Sequence, residues 1–154
     1  MALTDYPTKT KTLLLSLLSS FVVLLLIQAI PYGRNHTNLP LVGEPSWDSA
    51  TTRALAKRAC FDCHSHETVW PWYSRIAPMS WLAQYDADQG RRELNFSDWQ
   101  RGAQEGKRPG KIRKEITGGG MPPVAYRLMH PEARLTDAEK RRLADALSAP
   151  SLYR

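Results

Sequence analysis

The pattern of apolar and polar positions divides the chain into one long apolar block and a series of short amphipathic stretches. Residues Leu13 to Ile30 read LLLSLLSSFVVLLLIQAI, eighteen positions without a charge. As a helix such a block spans roughly 27 Å, just enough for the hydrocarbon core of a bilayer. A cleaved signal peptide usually has a shorter apolar stretch followed by small residues at A-x-A spacing. Gln28-Ala29-Ile30-Pro31-Tyr32 lacks that spacing, so the pattern predicts an uncleaved transmembrane anchor over 13–30. Lys9 and Lys11 precede the block and Arg34 is the one cation close after it. The positive-inside rule then leaves residues 1–12 in the cytoplasm and exports everything beyond Pro31.

Beyond the block the periodicity is helical wherever it is regular. Residues 31–47 are polar and punctuated by Gly and Pro, which predicts a linker between the membrane and a domain over 48–150. Asp48 is a suitable N-cap for a helix through Ala59 into Cys60, with Leu55 and Ala59 on one face. His66 to Pro78 reads as an aromatic loop around Trp70-Pro71-Trp72-Tyr73. Ser80 to Gly90 suits a short helix with Trp81, Leu82 and Tyr85 on one side, and Asn95 to Trp99 resembles an N-cap entering another helical turn. Pro109 to Thr117 spaces Ile112 and Ile116 by four and stops at glycines. Thr136-Asp137-Ala138-Glu139 is a capping box opening a helix through Leu143 and Leu147 towards Pro150. No stretch alternates as a strand does, so the expected fold class is all-α, with long loops.

Composition sharpens this picture at two points. The chain has 154 residues, 11 of them Pro and 5 Trp, and an exported domain of about 120 residues with so much loop is short of core. A large apolar cofactor would supply it. The two cysteines, Cys60 and Cys63, are three residues apart, so they cannot staple distant parts of a disulfide scaffold.

Cys60-Phe61-Asp62-Cys63-His64 is the C-x-x-C-H pattern of c-type haem attachment. Two thiols on one helical turn can each form a thioether with one haem vinyl group, and the next residue, His64, then falls under the iron. A thioredoxin-like redox pair would need a βαβ context. A zinc site from Cys60, Cys63, His64 and His66 would crowd ligands that structural zinc sites space apart.

The sixth iron ligand is sought downstream. Met121 follows Gly118-Gly119-Gly120 and precedes Pro122-Pro123, so a permissive turn ends in a stiff extended segment that can hold a thioether in place. Met/His ligation is typical of electron-transfer cytochromes. The alternative for a methionine is core filling. His130 ranks second as ligand and Met79 third; His66 is too close to His64 to reach round the ring, and His36 reads as a solvated loop residue. Trp70 and Trp72 have indole N–H groups that can donate to haem propionates, with ordinary packing as the competing reading.

Charge adds candidate partners without selecting one. Beyond Pro31 there are 19 Lys/Arg against 14 Asp/Glu, and Arg101, Lys107, Arg108, Lys111, Arg113 and Lys114 stand against Glu105 in one stretch. That stretch reads as a solvated surface, a docking face for an acidic redox protein or a contact with anionic lipid head groups. Nucleic acid is excluded by compartment.

These motifs also occur together in one family. The exported part resembles the bacterial haem-binding-domain proteins, small anchored members of the cytochrome-c-like group. The likeness rests on Cys60-Phe61-Asp62-Cys63-His64-Ser65, on Trp70-Pro71-Trp72-Tyr73-Ser74 with Ile76-Ala77-Pro78, and on Leu94-Asn95-Phe96-Ser97 with Trp99. It continues in Met121-Pro122-Pro123 and in His130-Pro131-Glu132-Ala133 with Leu135. It implies a compact cytochrome-c-like helical domain around one covalent haem c, with His64 as proximal and Met121 as distal ligand of the iron.

The leading expectation is therefore a one-electron carrier, not an enzyme, at the periplasmic face of a bacterial inner membrane. Its anchor would lie in the bilayer and its partners would be membrane or periplasmic redox proteins. Two other classes compete: a gas or redox sensor with a displaceable distal ligand, and a peroxidase-like enzyme with an open iron. Carbon monoxide binding to the reduced protein separates the carrier from both.

Overall fold

The computed structural model describes residues 8–100 and 108–153; residues 1–7, 101–107 and 154 lie outside it, among them Arg101, Glu105 and Lys107 of the basic stretch. Seven α-helices, and no strand, occur among the described residues. Helix α1 is Thr8–Ile27, α2 Ala50–Ala59, α3 Phe61–His64, α4 Met79–Glu93, α5 Pro109–Thr117, α6 Val124–Met129 and α7 Asp137–Leu147. The chain falls into two compact units, one of residues 8–35 with Pro71–Gln84, the other of His36–Trp70 with the described residues from Tyr85 onward.

In the first unit α1 is long and apolar enough to cross a membrane, and none of its residues is buried. The helix stops at Ile27, three residues before the end of the uncharged block. The cause is Gln28, whose amide nitrogen donates to the carbonyls of Leu24 and Ala77, while its oxygen accepts from the Ala77 N–H. A polar side chain that pins a neighbouring loop in this way ends the helix more decisively than the apolar run extends it.

In the second unit the core consists of α2, α5 and α7 with the segment 94–99. Ser49, one residue beyond the expected Asp48, caps α2 by accepting from the Thr52 N–H at 3.2 Å. Leu55, Ala56 and Ala59 share one buried cluster with Ile112 and Ile116 of α5 and Leu143, Ala144 and Leu147 of α7. Leu143 and Leu147 are fully enclosed, and each burial of this kind stabilises by about 1.5–3 kcal/mol. Helix α7 starts at the Thr136–Glu139 capping box that its sequence predicts. An aromatic row extends the cluster: Trp47, Phe61, Phe96 and Trp99 follow one another at centroid spacings of 5.3–6.2 Å.

Two local expectations change. Asn95 to Trp99 forms a turn, not a helix start. The Asn95 Oδ1 accepts from the Ser97 N–H at 2.9 Å, which closes a side-chain turn in place of a helical one. After Met121-Pro122-Pro123 the chain enters α6, which the prolines masked in the sequence; Pro123 serves as its N-cap residue in extended conformation.

Candidate functional site

The attachment motif is built on an interrupted helix. Helix α2 closes when the Cys60 N–H bonds the Ala56 carbonyl at 2.8 Å, and α3 then turns Phe61 to His64 about a new start at Cys60. The N–H groups of Cys63 and His64 both bond the Cys60 carbonyl, at 3.2 and 2.9 Å, so both thiols and the imidazole belong to one turn. Phe61 supplies the leverage: fully buried in the aromatic row, it fixes the turn against the core while Cys63 and His64 stay at its partly buried edge.

His64 is oriented from behind. Its Nδ1 lies 3.0 Å from the Leu94 carbonyl oxygen. A carbonyl only accepts, so Nδ1 carries the proton and Nε2 keeps its lone pair for a metal. The His64 carbonyl accepts from the Phe96 N–H at 2.7 Å, which ties the same residue to the same segment a second time. Burial holds the imidazole below its ordinary pKa, so it stays neutral, as a ligand must be.

Close approach makes the remaining demand. Gly90 of α4 lies against the backbone of Cys63, and a Cβ there would collide with the Cys63 carbonyl. Arg91, its neighbour, donates from Nε to the Ser65 carbonyl and from Nη2 to Thr68 Oγ1, both at 2.8 Å. Glu67 receives Arg53 and Lys57, each at 2.7 Å, and Arg53 also pairs with Glu44. The residues just after the motif are thus held from several sides.

The structure separates the sequence candidates sharply. Cys60 and Cys63 are free thiols, and burial pushes each up to about 12, with Asp86 and Asp62 adding to the effect at Cys63. That is the opposite of the electropositive setting that activates a redox thiol pair. His66 is fully occupied: Nδ1 donates to the Pro40 carbonyl at 2.8 Å, and Nε2 accepts from the Asn95 amide at 3.0 Å. No group of three or more His, Cys, Asp or Glu is placed to hold a metal ion among the described residues. The zinc reading loses His66, whose two ring nitrogens are both engaged.

His36 is not a solvated loop residue: it stacks on Trp70 with centroids 4.6 Å apart. Four of the five tryptophans split into two pairs. Trp47 and Trp99 donate to Glu44 and to the Leu152 carbonyl, whereas the indole nitrogens of Trp70 and Trp81 are buried without a partner. A buried orphan donor is costly, and the Trp70 N–H is the kind of group a propionate would satisfy.

Met121 is placed by the end of α5. Gly119 takes φ +81°, a conformation that side chains rarely adopt. The chain reverses there, and the Met121 N–H bonds the Glu115 carbonyl at 2.9 Å. The residue remains 38% exposed, so it is not the core filler that a methionine often is. His130 donates from Nδ1 to Glu132 at 3.0 Å and stacks on Tyr126 at 4.2 Å. Met79 belongs to the first unit, at the start of α4.

Three contributors escaped the sequence reading: the Leu94 carbonyl, Gly90 and the Tyr126–Asp62 pair, in which the phenol donates to Asp62 Oδ2 at 2.6 Å. The first is a backbone atom and has no side-chain signature. The second reads in sequence as the end of the helix from Ser80, whereas α4 runs on to Glu93 and Gly90 lies within it. The third joins residues 64 positions apart.

A haem fits this set of donors. Two free thiols precede, on one turn, an imidazole whose proton sits on Nδ1, and the exposed Met121 follows on a stiffened arm. Comparison with known families gives a match to the model described as "Haem-binding domain", over residues 22–149. Comparison with curated proteins and with solved structures finds no match.

Proposed function

Because the chain belongs to the haem-binding-domain family, we propose that it carries one haem c and passes single electrons at the periplasmic face of a bacterial inner membrane. Cys60 and Cys63 would hold the group covalently, each Sγ–H adding across one vinyl double bond, sulfur to one carbon and hydrogen to the other, with no oxidant consumed. His64 Nε2 and Met121 Sδ would be the residues that hold the iron. When bound, the haem iron supplies a one-electron couple, and Met/His ligation raises its potential.

The observation that carries this reading is the His64 Nδ1–Leu94 carbonyl bond beside two free thiols on the same turn. It fixes the tautomer that leaves the lone pair on Nε2. The domain has a cytochrome-c-like role in this reading, with α1 as its anchor in the bilayer and membrane or periplasmic redox proteins as its partners. Were His64 and Met121 both to hold the iron, no position would be left for substrate, which favours a carrier over a sensor or a peroxidase.

The test is the optical spectrum of the full chain, matured with a haem-attachment system and recorded oxidised, reduced, and reduced under carbon monoxide. A c-type spectrum unaltered by the gas is the expected result. A reduced spectrum that shifts readily would contradict the closed carrier and point to a displaceable ligand. No haem retained after denaturation would refute covalent attachment.

A further inference from the structure

The Met121 arm is held to the attachment motif by a contact that the proposed ligand set does not use. Asp62 sits between the two cysteines, in the same turn as His64. Its Oδ1 accepts from the Val69 N–H at 2.9 Å, and the Thr68 hydroxyl donates to its carbonyl at 2.8 Å. These bonds orient the carboxylate, and its second oxygen meets the Tyr126 hydroxyl at 2.6 Å.

Tyr126 lies only five residues beyond Met121, and the intervening chain is stiff. Pro122 and Pro123 fix two φ angles. Helix α6 follows at once, with the Arg127 N–H on the Pro123 carbonyl at 3.1 Å and the His130 N–H on the Tyr126 carbonyl at 2.9 Å. Upstream, the Met121 N–H is tied to Glu115. Met121 therefore sits between two anchors, and displacing the downstream anchor moves the thioether with it. Val124, Leu128 and Met129 are exposed, and besides the Tyr126 bond α6 is held by the Arg134 Nε bond to the Arg127 carbonyl at 3.0 Å.

We propose that Tyr126 is a positioning residue: its hydrogen bond to Asp62 latches the Met121 arm onto the attachment turn and governs how readily Met121 leaves the iron. This rests on the Met121 ligation proposed above. The latch joins the residue between the two thioether cysteines to the arm that bears the distal ligand, so it sets the spacing of the two sides. Phenylalanine at 126 keeps the ring and its stack on His130 while removing the one bond in question.

The experiment uses the full chain loaded with haem. The far-red sulfur-to-iron charge-transfer band of the oxidised protein and the rate of carbon monoxide binding to the reduced protein are read in wild type, Tyr126→Phe, Asp62→Asn and the double variant. Loss of a hydrogen bond to a carboxylate predicts binding faster by about tenfold in Tyr126→Phe, with a weakened band. The double variant should be no faster than the faster single variant. In the apoprotein, amide exchange should rise over 121–130 and not over 60–66.

A wild-type rate in a folded Tyr126→Phe that retains the band overturns the latch and leaves Met121 ligation standing. A wild type that lacks the band overturns the ligation and the latch together. Should Tyr126→Phe fail to accumulate, Asp62→Ala decides, since it removes the acceptor altogether: faster binding supports the latch, and an unchanged rate overturns it.

Discussion

The attachment turn and the Met121 arm belong to the same unit yet are built on different principles. Around His64 the bonds are dense and mostly to backbone: Leu94 and Phe96 hold the residue itself, Arg91 holds Ser65 and Thr68, and Phe61 is fully buried. The arm has a backbone tie at Met121, a phenol bond at Tyr126, an Arg134 bond to the Arg127 carbonyl, and an apolar helix face that stays exposed. Such a contrast lets one side hold a cofactor rigidly while the other stays adjustable. Backbone carbonyls, unlike side chains, are difficult to lose by substitution. A phenol hydroxyl is lost by a single change.

The largest break in this comparison is expected at His64. His64→Ala should leave the haem poorly held or wrongly ligated, read as a drop in haem-to-protein ratio and an altered spectrum. An unaffected iron spectrum would refute its role. Met121→Ala should act differently: haem stays attached, the potential falls and carbon monoxide binds. Stability of the apoprotein should change by no more than about 0.5 kcal/mol, because the side chain is partly exposed and leaves no core cavity. Thermal unfolding of the apoprotein and a redox titration check both parts.

Gly90→Ala probes the rigid side without touching a ligand. The added Cβ meets the Cys63 backbone, and overpacking of this kind costs about 1–3 kcal/mol. Denaturant melts of the apoprotein should show that loss, together with poorer haem incorporation. An unchanged midpoint would mean that α4 is free to draw back.

The smallest effect concerns acid. The hydrogen bond from Arg53 holds Glu44 below its ordinary value of 4.5. A depressed carboxyl stabilises the fold above its unfolded pKa, and that contribution is lost as pH falls through the lower folded value. The window therefore opens near pH 4.5 and extends downward. Glu44→Gln should cost about 1 kcal/mol at pH 7 and progressively less below pH 4.5, measured as the difference in unfolding midpoint from wild type. A pH-independent difference would show that the ion pair is not its source.

The same contrast explains what could be read from the sequence. Helix α5 matches its expected bounds at Pro109 and Thr117, and α7 starts at its capping box, because their signals lie within a few residues of the elements they define. Cys60, Cys63 and His64 share one turn for the same reason. The cap of α2 shifted by one residue, since Asp48 and Ser49 are both suitable and only the fold selects Ser49. Asn95 was misread because its side chain closes a turn as readily as it caps a helix. The Leu94 carbonyl and the Tyr126–Asp62 bond are tertiary facts, with no local pattern to announce them.

The account turns on covalent attachment through Cys60 and Cys63, and the direct measurement is the intact mass of the full chain under denaturing conditions after expression with a haem-attachment system. The predicted result is a mass increased by one haem, reverting to the bare chain when both cysteines are replaced by alanine. A bare-chain mass in wild type that still binds haem when folded would contradict the c-type assignment.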